Sequence, residues 1–167
     1  QSASNETLPP LDEAKRSLAA HMLLSVDAGF LSPRAAEWLK KGAKTTPPGF
    51  FPVSKQPVSQ TVITPAGAVG IVFFPYGAEE DARPTSEQMR MALEAGKALQ
   101  EKVVLLLGVS PWGYEGEKAF LGQGQGVFHC LLGAGQGFPF AQAVSPEAPA
   151  ILWSRPDSKG RAVTQID

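Results

Sequence analysis

The chain has 167 residues, 43% of them hydrophobic, with 15 Lys+Arg against 16 Asp+Glu for a net charge of -1. This hydrophobic content excludes a disordered chain, and the near-neutral charge argues against a nucleic-acid or anionic-membrane binder. The single cysteine, Cys130, excludes an internal disulfide and a cysteine-rich zinc site, and no apolar run reaches the ~18–20 residues of a membrane span.

The polar residues 1–10, ending in Pro9-Pro10, are expected to be a flexible lead-in, with one domain over 11–167. The first Met is Met22, so a longer precursor is expected. Residues 11–20 read as a short helix and 21–26 as a short buried strand. Asp27-Ala28-Gly29 turns the chain. Ser32-Pro33 pairs a capping residue with proline at the first helical position, and predicts a helix stopping near Gly42. Four prolines (Pro47, Pro48, Pro52, Pro57) make 45–57 extended and loop-like.

Residues 58–64 alternate as a strand, and Pro65-Ala66-Gly67 turns into a second strand over 68–74, giving a hairpin. Thr85 and Gln88 have the spacing of a capping box. Met89, Ala92, Leu93, Gly96 and Leu99 then form one helical face. Residues 103–107 (VVLLL) read as a buried strand, so 68–107 is a βαβ unit with parallel strands. Residues 115–121 have room for one or two helical turns, and 127–132 read as another buried strand. Residues 150–153 and 161–166 are expected to close the chain as a hairpin. The sum is a layered α/β domain with a mixed, partly parallel sheet flanked by helices and antiparallel hairpins at the end.

Sites in open α/β sheets form at the carboxyl ends of parallel strands. Here those ends hold Tyr76, then Ser110, Trp112 and Tyr114, then Gln136 within Gly133-Ala134-Gly135-Gln136-Gly137. These five residues are the candidate ligand contacts. Trp112 and Tyr114 are open to two roles, stacking on a ligand or capping the core. The glycine-rich run lacks the helix that a dinucleotide fingerprint needs, because Phe138-Pro139-Phe140 follows it. His129 and Cys130 are adjacent on a strand and point to opposite faces, so they do not read as a catalytic pair. With histidine only at His21 and His129, no metal-ligand set and no catalytic residue is assigned, and no cofactor is expected.

The stretches 20–30 (AHMLLSVDAGF), 68–74 (AVGIVFF), 103–113 (VVLLLGVSPWG), 131–137 (LLGAGQG) and 160–167 (GRAVTQID) follow one another in a known order. The pattern resembles the later half of a calcineurin-like metallophosphoesterase domain, in the branch of bacterial 5'-nucleotidases and UDP-sugar hydrolases. The family's metal-ligand letters are missing. The Asn-His-Glu position reads Asp27-Ala28-Gly29, the Ser-His strand end reads Gly108-Val109-Ser110, and the Gly-His-Ser-His position reads Ala134-Gly135-Gln136-Gly137. The resemblance thus implies the family's fold and an exported, periplasmic location, without the two-metal centre that activates water.

The expected function is a non-catalytic domain that binds a small molecule or a protein partner through its strand-end loops. One alternative is a metal-dependent phosphoesterase-like hydrolase with non-standard ligands such as Asp27 and Glu79. The other is an interaction half-domain that completes a larger assembly, including a homo-oligomer.

Overall fold

The computed structural model describes residue 19 and residues 27–31, 33–42, 49–52, 54–77, 83–124, 126–135, 137–144 and 150–156. They belong to two compact units, Gln1–Pro52 and Val53–Asp167. The boundary falls inside the proline-rich stretch. The helix expected over 11–20 (Ala19 apart) and the segments 21–26 and 161–166 lie outside the described residues.

In the first unit, strand β1 (Gly29–Leu31) pairs in parallel with β2 (Phe50–Pro52), and helix α1 (Pro33–Gly42) lies between them in the chain. Lys40 and Lys41 sit in the last turn of α1, where cations favour the helix dipole. Gly29 is required by close approach, because a Cβ there would stand 2.7 Å from the Phe50 ring.

The second unit is a six-stranded sheet. Strand β3 (Val58–Thr64) pairs antiparallel with β4 (Gly67–Phe73), as the alternation and the Pro65-Ala66 turn predict. Helix α2 (Ser86–Gln100) leads to β5 (Leu105–Ser110), parallel to β4. Thr85 Oγ1 accepts from the Gln88 amide at 3.2 Å, and Gln88 Oε1 accepts from the Thr85 amide at 2.8 Å, so the capping box is complete. Helix α3 (Gly113–Gly124) leads to β6 (Cys130–Gly133), parallel to β5. Strands β7 (Phe140–Val144) and β8 (Ile151–Arg155) finish the sheet, with β8 parallel to β6 and β7 antiparallel to β8. The strand order is β3-β4-β5-β6-β8-β7.

The mixed α/β architecture is therefore the one expected, with local differences. Strand β1 forms at a stretch read as a turn and β2 within one read as loop-like, and β6 begins at Cys130 although a strand is expected from 127. Strand β5 begins later than expected and runs through Ser110, because Val109 pairs with Phe73 and Ser110 with Gly133. Helix α3 is a full 12 residues. Its four glycines argue against a helix by propensity, but Gly116 lets it close on Trp112 and Pro84, where a Cβ would stand 2.7 Å from either. The partner of β8 is β7, a strand not expected. The two edges of β8 are occupied by β6 and β7.

Side chains alternate across each strand. Val72, Phe74, Leu106, Leu131, Ile151 and Trp153 share the face that Ala92 of α2 and Phe120 and Leu121 of α3 cover. Phe74 is at the centre, with ring centroids 4.8 Å from Trp112 and from Phe120 and 5.4 Å from Phe128. The carboxyl ends of β5, β6 and β8 emerge at one rim of this core.

Candidate functional site

The rim is built on a buried ion pair. Ile151, Trp153 and Arg155 alternate on β8, so Arg155 points to the same side as the core residues of its strand. On α3 the buried positions Gly113, Gly116, Glu117, Phe120 and Leu121 follow helical spacing, which puts Glu117 on the apolar stripe. The two meet. Arg155 Nη1 stands 2.5 Å from Glu117 Oε1, with side chains 2% and 0% exposed. Glu117 Oε2 accepts from the Trp153 indole N–H at 2.8 Å. Arg155 Nη2 donates to the Ala134 and Gly135 carbonyls at 3.2 and 3.0 Å.

The glycine-rich run after β6 is shaped around this pair. A Cβ at Gly133 would collide with the Glu117 carboxyl group, and one at Gly137 would stand 2.9 Å from Arg155 Nη2. Gly137 also has φ 142, a backbone conformation that favours glycine. Burial holds the Glu117 carboxyl above its ordinary 4.5, opposed by Arg155, the Trp153 indole and the Ala134 amide.

Aromatic rings sit above the pair. Tyr114 stacks on Trp153 with centroids 5.2 Å apart and planes 22° from parallel. Phe140 meets Trp153 edge-on at 4.7 Å. Phe138 lies 5.1 Å from Tyr114 and 5.7 Å from Phe140 and is 61% exposed. Lys118 Nζ is 6.0 Å from the Tyr114 ring centroid.

The five expected contacts divide. Tyr114 belongs to this aromatic ledge. Trp112 takes the second of its two roles and caps the core. It is 2% exposed, its indole N–H donates to the Pro75 carbonyl at 2.7 Å, and its ring packs on Phe74 and Phe120. Ser110 is fully buried, and its hydroxyl accepts the Trp112 amide at 3.2 Å. Tyr76 is half-buried. Its amide donates to the Ser54 carbonyl at 2.9 Å, and its carbonyl accepts from Gln88 Nε2 at 3.0 Å. Gln136 lies outside the described residues.

Sequence reasoning misses Glu117, Arg155, Phe138 and Phe140 as site residues. Two signals point to the pair: a carboxylate on the apolar stripe of a helix, and an arginine in phase with Ile151 and Trp153. Neither is a motif, because it takes the fold to show that the two charges meet.

The described residues of the rim do not fit a two-metal centre; Glu79, named above among the non-standard ligands, lies outside the described residues. Ser110, Ala134, Gly135 and Gly137 offer no imidazole or carboxylate, and the Glu117 carboxylate is held by Arg155 and Trp153. Among the described residues no group of three His, Cys, Asp or Glu converges. His129 is exposed at the start of β6, and its Nδ1 accepts the Leu106 amide at 3.0 Å. Cys130 is buried.

No protein-family model matches the chain, and no curated protein matches it. It is similar to a solved structure described as a hypothetical protein from Thermus thermophilus. That protein is 13% identical with a TM-score of 0.45, over 87% of this chain and 69% of that one.

Proposed function

We propose that the chain is a non-catalytic binding domain whose contact surface is the aromatic ledge of Tyr114, Phe138 and Phe140 at the carboxyl rim of the sheet. One observation carries the reading. Phe138 is 61% exposed while its ring rests on Tyr114, which is itself stacked on a Trp153 anchored to Glu117. A large exposed ring supported from beneath by fixed rings loses little freedom when a second planar group stacks on it. The ligand class that fits is a small molecule bearing a planar ring. The polar groups beneath the ledge are committed to one another, which supports binding over hydrolysis.

Descent from a metallophosphoesterase-like domain that has lost its metal ligands is part of this proposal. It rests on the sequence pattern alone.

The test is a thermal-shift panel of nucleotides, sugar nucleotides and free aromatic compounds. At least one ring-bearing compound should raise the melting temperature of the parent. The Phe138→Ala variant should lose that rise while its own ligand-free melting temperature stays near the parent's. The reading fails if no compound shifts the parent, or if the variant responds equally. Release of phosphate from generic esters with Mn²⁺, Zn²⁺ or Mg²⁺, abolished by a chelator, would overturn the non-catalytic assignment.

A further inference from the structure

The Glu117 carboxylate is held between donors. Its Oε2 accepts the Trp153 indole N–H at 2.8 Å, and its Oε1 stands 2.5 Å from Arg155 Nη1. Neither an indole N–H nor a guanidinium can accept a hydrogen bond. The carboxyl group has no room to turn toward Gly133 either, because its atoms already occupy the place where a Cβ there would stand. A proton arriving on either oxygen therefore meets a donor and displaces it.

Both donors lead to the ledge. Trp153 is the ring on which Tyr114 stacks, with centroids 5.2 Å apart. Tyr114 and Glu117 lie one turn apart on α3, so the helix grips the indole by its face and by its N–H. Arg155 Nη2 donates to the Ala134 and Gly135 carbonyls, and the chain reaches Phe138 three residues further on. A shift of Trp153 moves the support of the ledge. A shift of Arg155 frees the run that carries its exposed ring.

We infer that Glu117 is a positioning residue for the aromatic ledge, which has two arrangements selected by the proton on that carboxyl group. Ionised, the carboxylate holds both donors. Protonated, it gives up one of them and the ledge loosens. The consequence for affinity rests on the proposed binding role of the ledge: a planar ring binds more weakly at acid pH.

Burial holds this carboxyl above its ordinary 4.5, so the change falls at milder pH than for an exposed glutamate. Among the described residues, the charge that meets Glu117 is Arg155. Glu115 and Lys118 of α3 are exposed, and Glu115 lies 3.7 Å from Arg83. On β6, His129 is exposed at the amino end and Cys130 points to the face opposite Gly133. Strand β7 (FAQAV) has no titratable side chain.

NMR of the free protein from about pH 4 to 8 tests the inference. The Trp153 indole N–H is assigned with Trp153→Phe, and the Tyr114 ring with Tyr76→Phe, since the chain has two tyrosines. The two signals should move together with one midpoint above 4.5, while circular dichroism stays constant. Glu117→Gln should abolish the step; Glu115→Gln and His129→Gln should keep it. Signals that stay still, that have separate midpoints, or that titrate unchanged in a folded Glu117→Gln would each overturn the inference. If Glu117→Gln does not fold, loss of the parent's step in Glu115→Gln or His129→Gln overturns it, and its survival in both supports it. Indole, a planar ring that does not titrate in this range, is then bound to the parent. Its dissociation constant should rise by up to about tenfold per pH unit below the midpoint. A constant affinity across the midpoint overturns the coupling. Absence of indole binding at every pH counts against the binding role of the ledge instead, and the resonances of the free protein then decide the inference by themselves.

Discussion

Glu117 and Arg155 explain more of the rim than any residue chosen for its chemistry. Two charges that are almost never found fully buried sit there together, held by an indole and two carbonyls. Removing one member leaves the other without compensation. Arg155→Leu should therefore cost about 3–5 kcal/mol of stability by urea unfolding at neutral pH. The cost should shrink toward acid pH, where the Glu117 carboxyl is protonated in both folded and unfolded chains. The parent has its own pH dependence. Because burial holds the folded carboxyl above 4.5, the folded chain binds more protons than the unfolded chain over that span. Its contribution to stability is fully present below 4.5 and falls as pH rises through the folded value. Glu117→Gln keeps an acceptor for the Trp153 indole and does not titrate. Its stability relative to the parent should rise with pH over the same window, and a difference that falls instead would show that the carboxylate is favoured by its site.

At the scale of elements, local and tertiary signals compete openly in the helices. The capping box of α2 is legible from Thr85 and Gln88 alone, because both partners lie within four residues of chain. Helix α3 reads short, because its glycines lower propensity while its reasons for being a helix lie in Trp112, Pro84 and the sheet. Gly96 of α2 tests which signal wins. Alanine there gains about 1 kcal/mol of helix propensity. Its Cβ, however, would stand 2.6 Å from Phe128 Cζ and 2.8 Å from Val127 Cγ1, both in the closed core. Overpacking of this kind costs about 1–3 kcal/mol. Gly96→Ala should therefore lower the midpoint of chemical unfolding. The same logic hides β7: a five-residue strand just after Phe138-Pro139 has weak alternation, and only pairing with β8 makes it a strand.

Over the molecule as a whole, the second unit closes one aromatic-rich cluster beneath a six-stranded sheet, and Cys130 reports on its integrity. It lies on β6, paired with β5 on one side and β8 on the other. Burial pushes its thiol up to about 11. Native protein at neutral pH should label slowly with a thiol reagent, at a rate that rises with urea in step with global unfolding. Fast labelling without denaturant would show that β6 opens locally. The sequence by itself determined the hairpin β3–β4, the capped helix α2, the parallel β4–β5 step and the α/β class. Each rests on periodicity, turn residues or a cap, all short-range properties written within a few residues. The tertiary structure alone decided that Trp112 belongs to the core, that β7 pairs β8, and that Glu117 meets Arg155 across 38 positions of chain. A buried charge is tolerable only beside its partner, and no local pattern shows which partner the fold will deliver. Gly133 and Gly137 belong by sequence to a glycine-rich strand-end run around the candidate contact Gln136, and in the fold they are the clearance that lets this pair close.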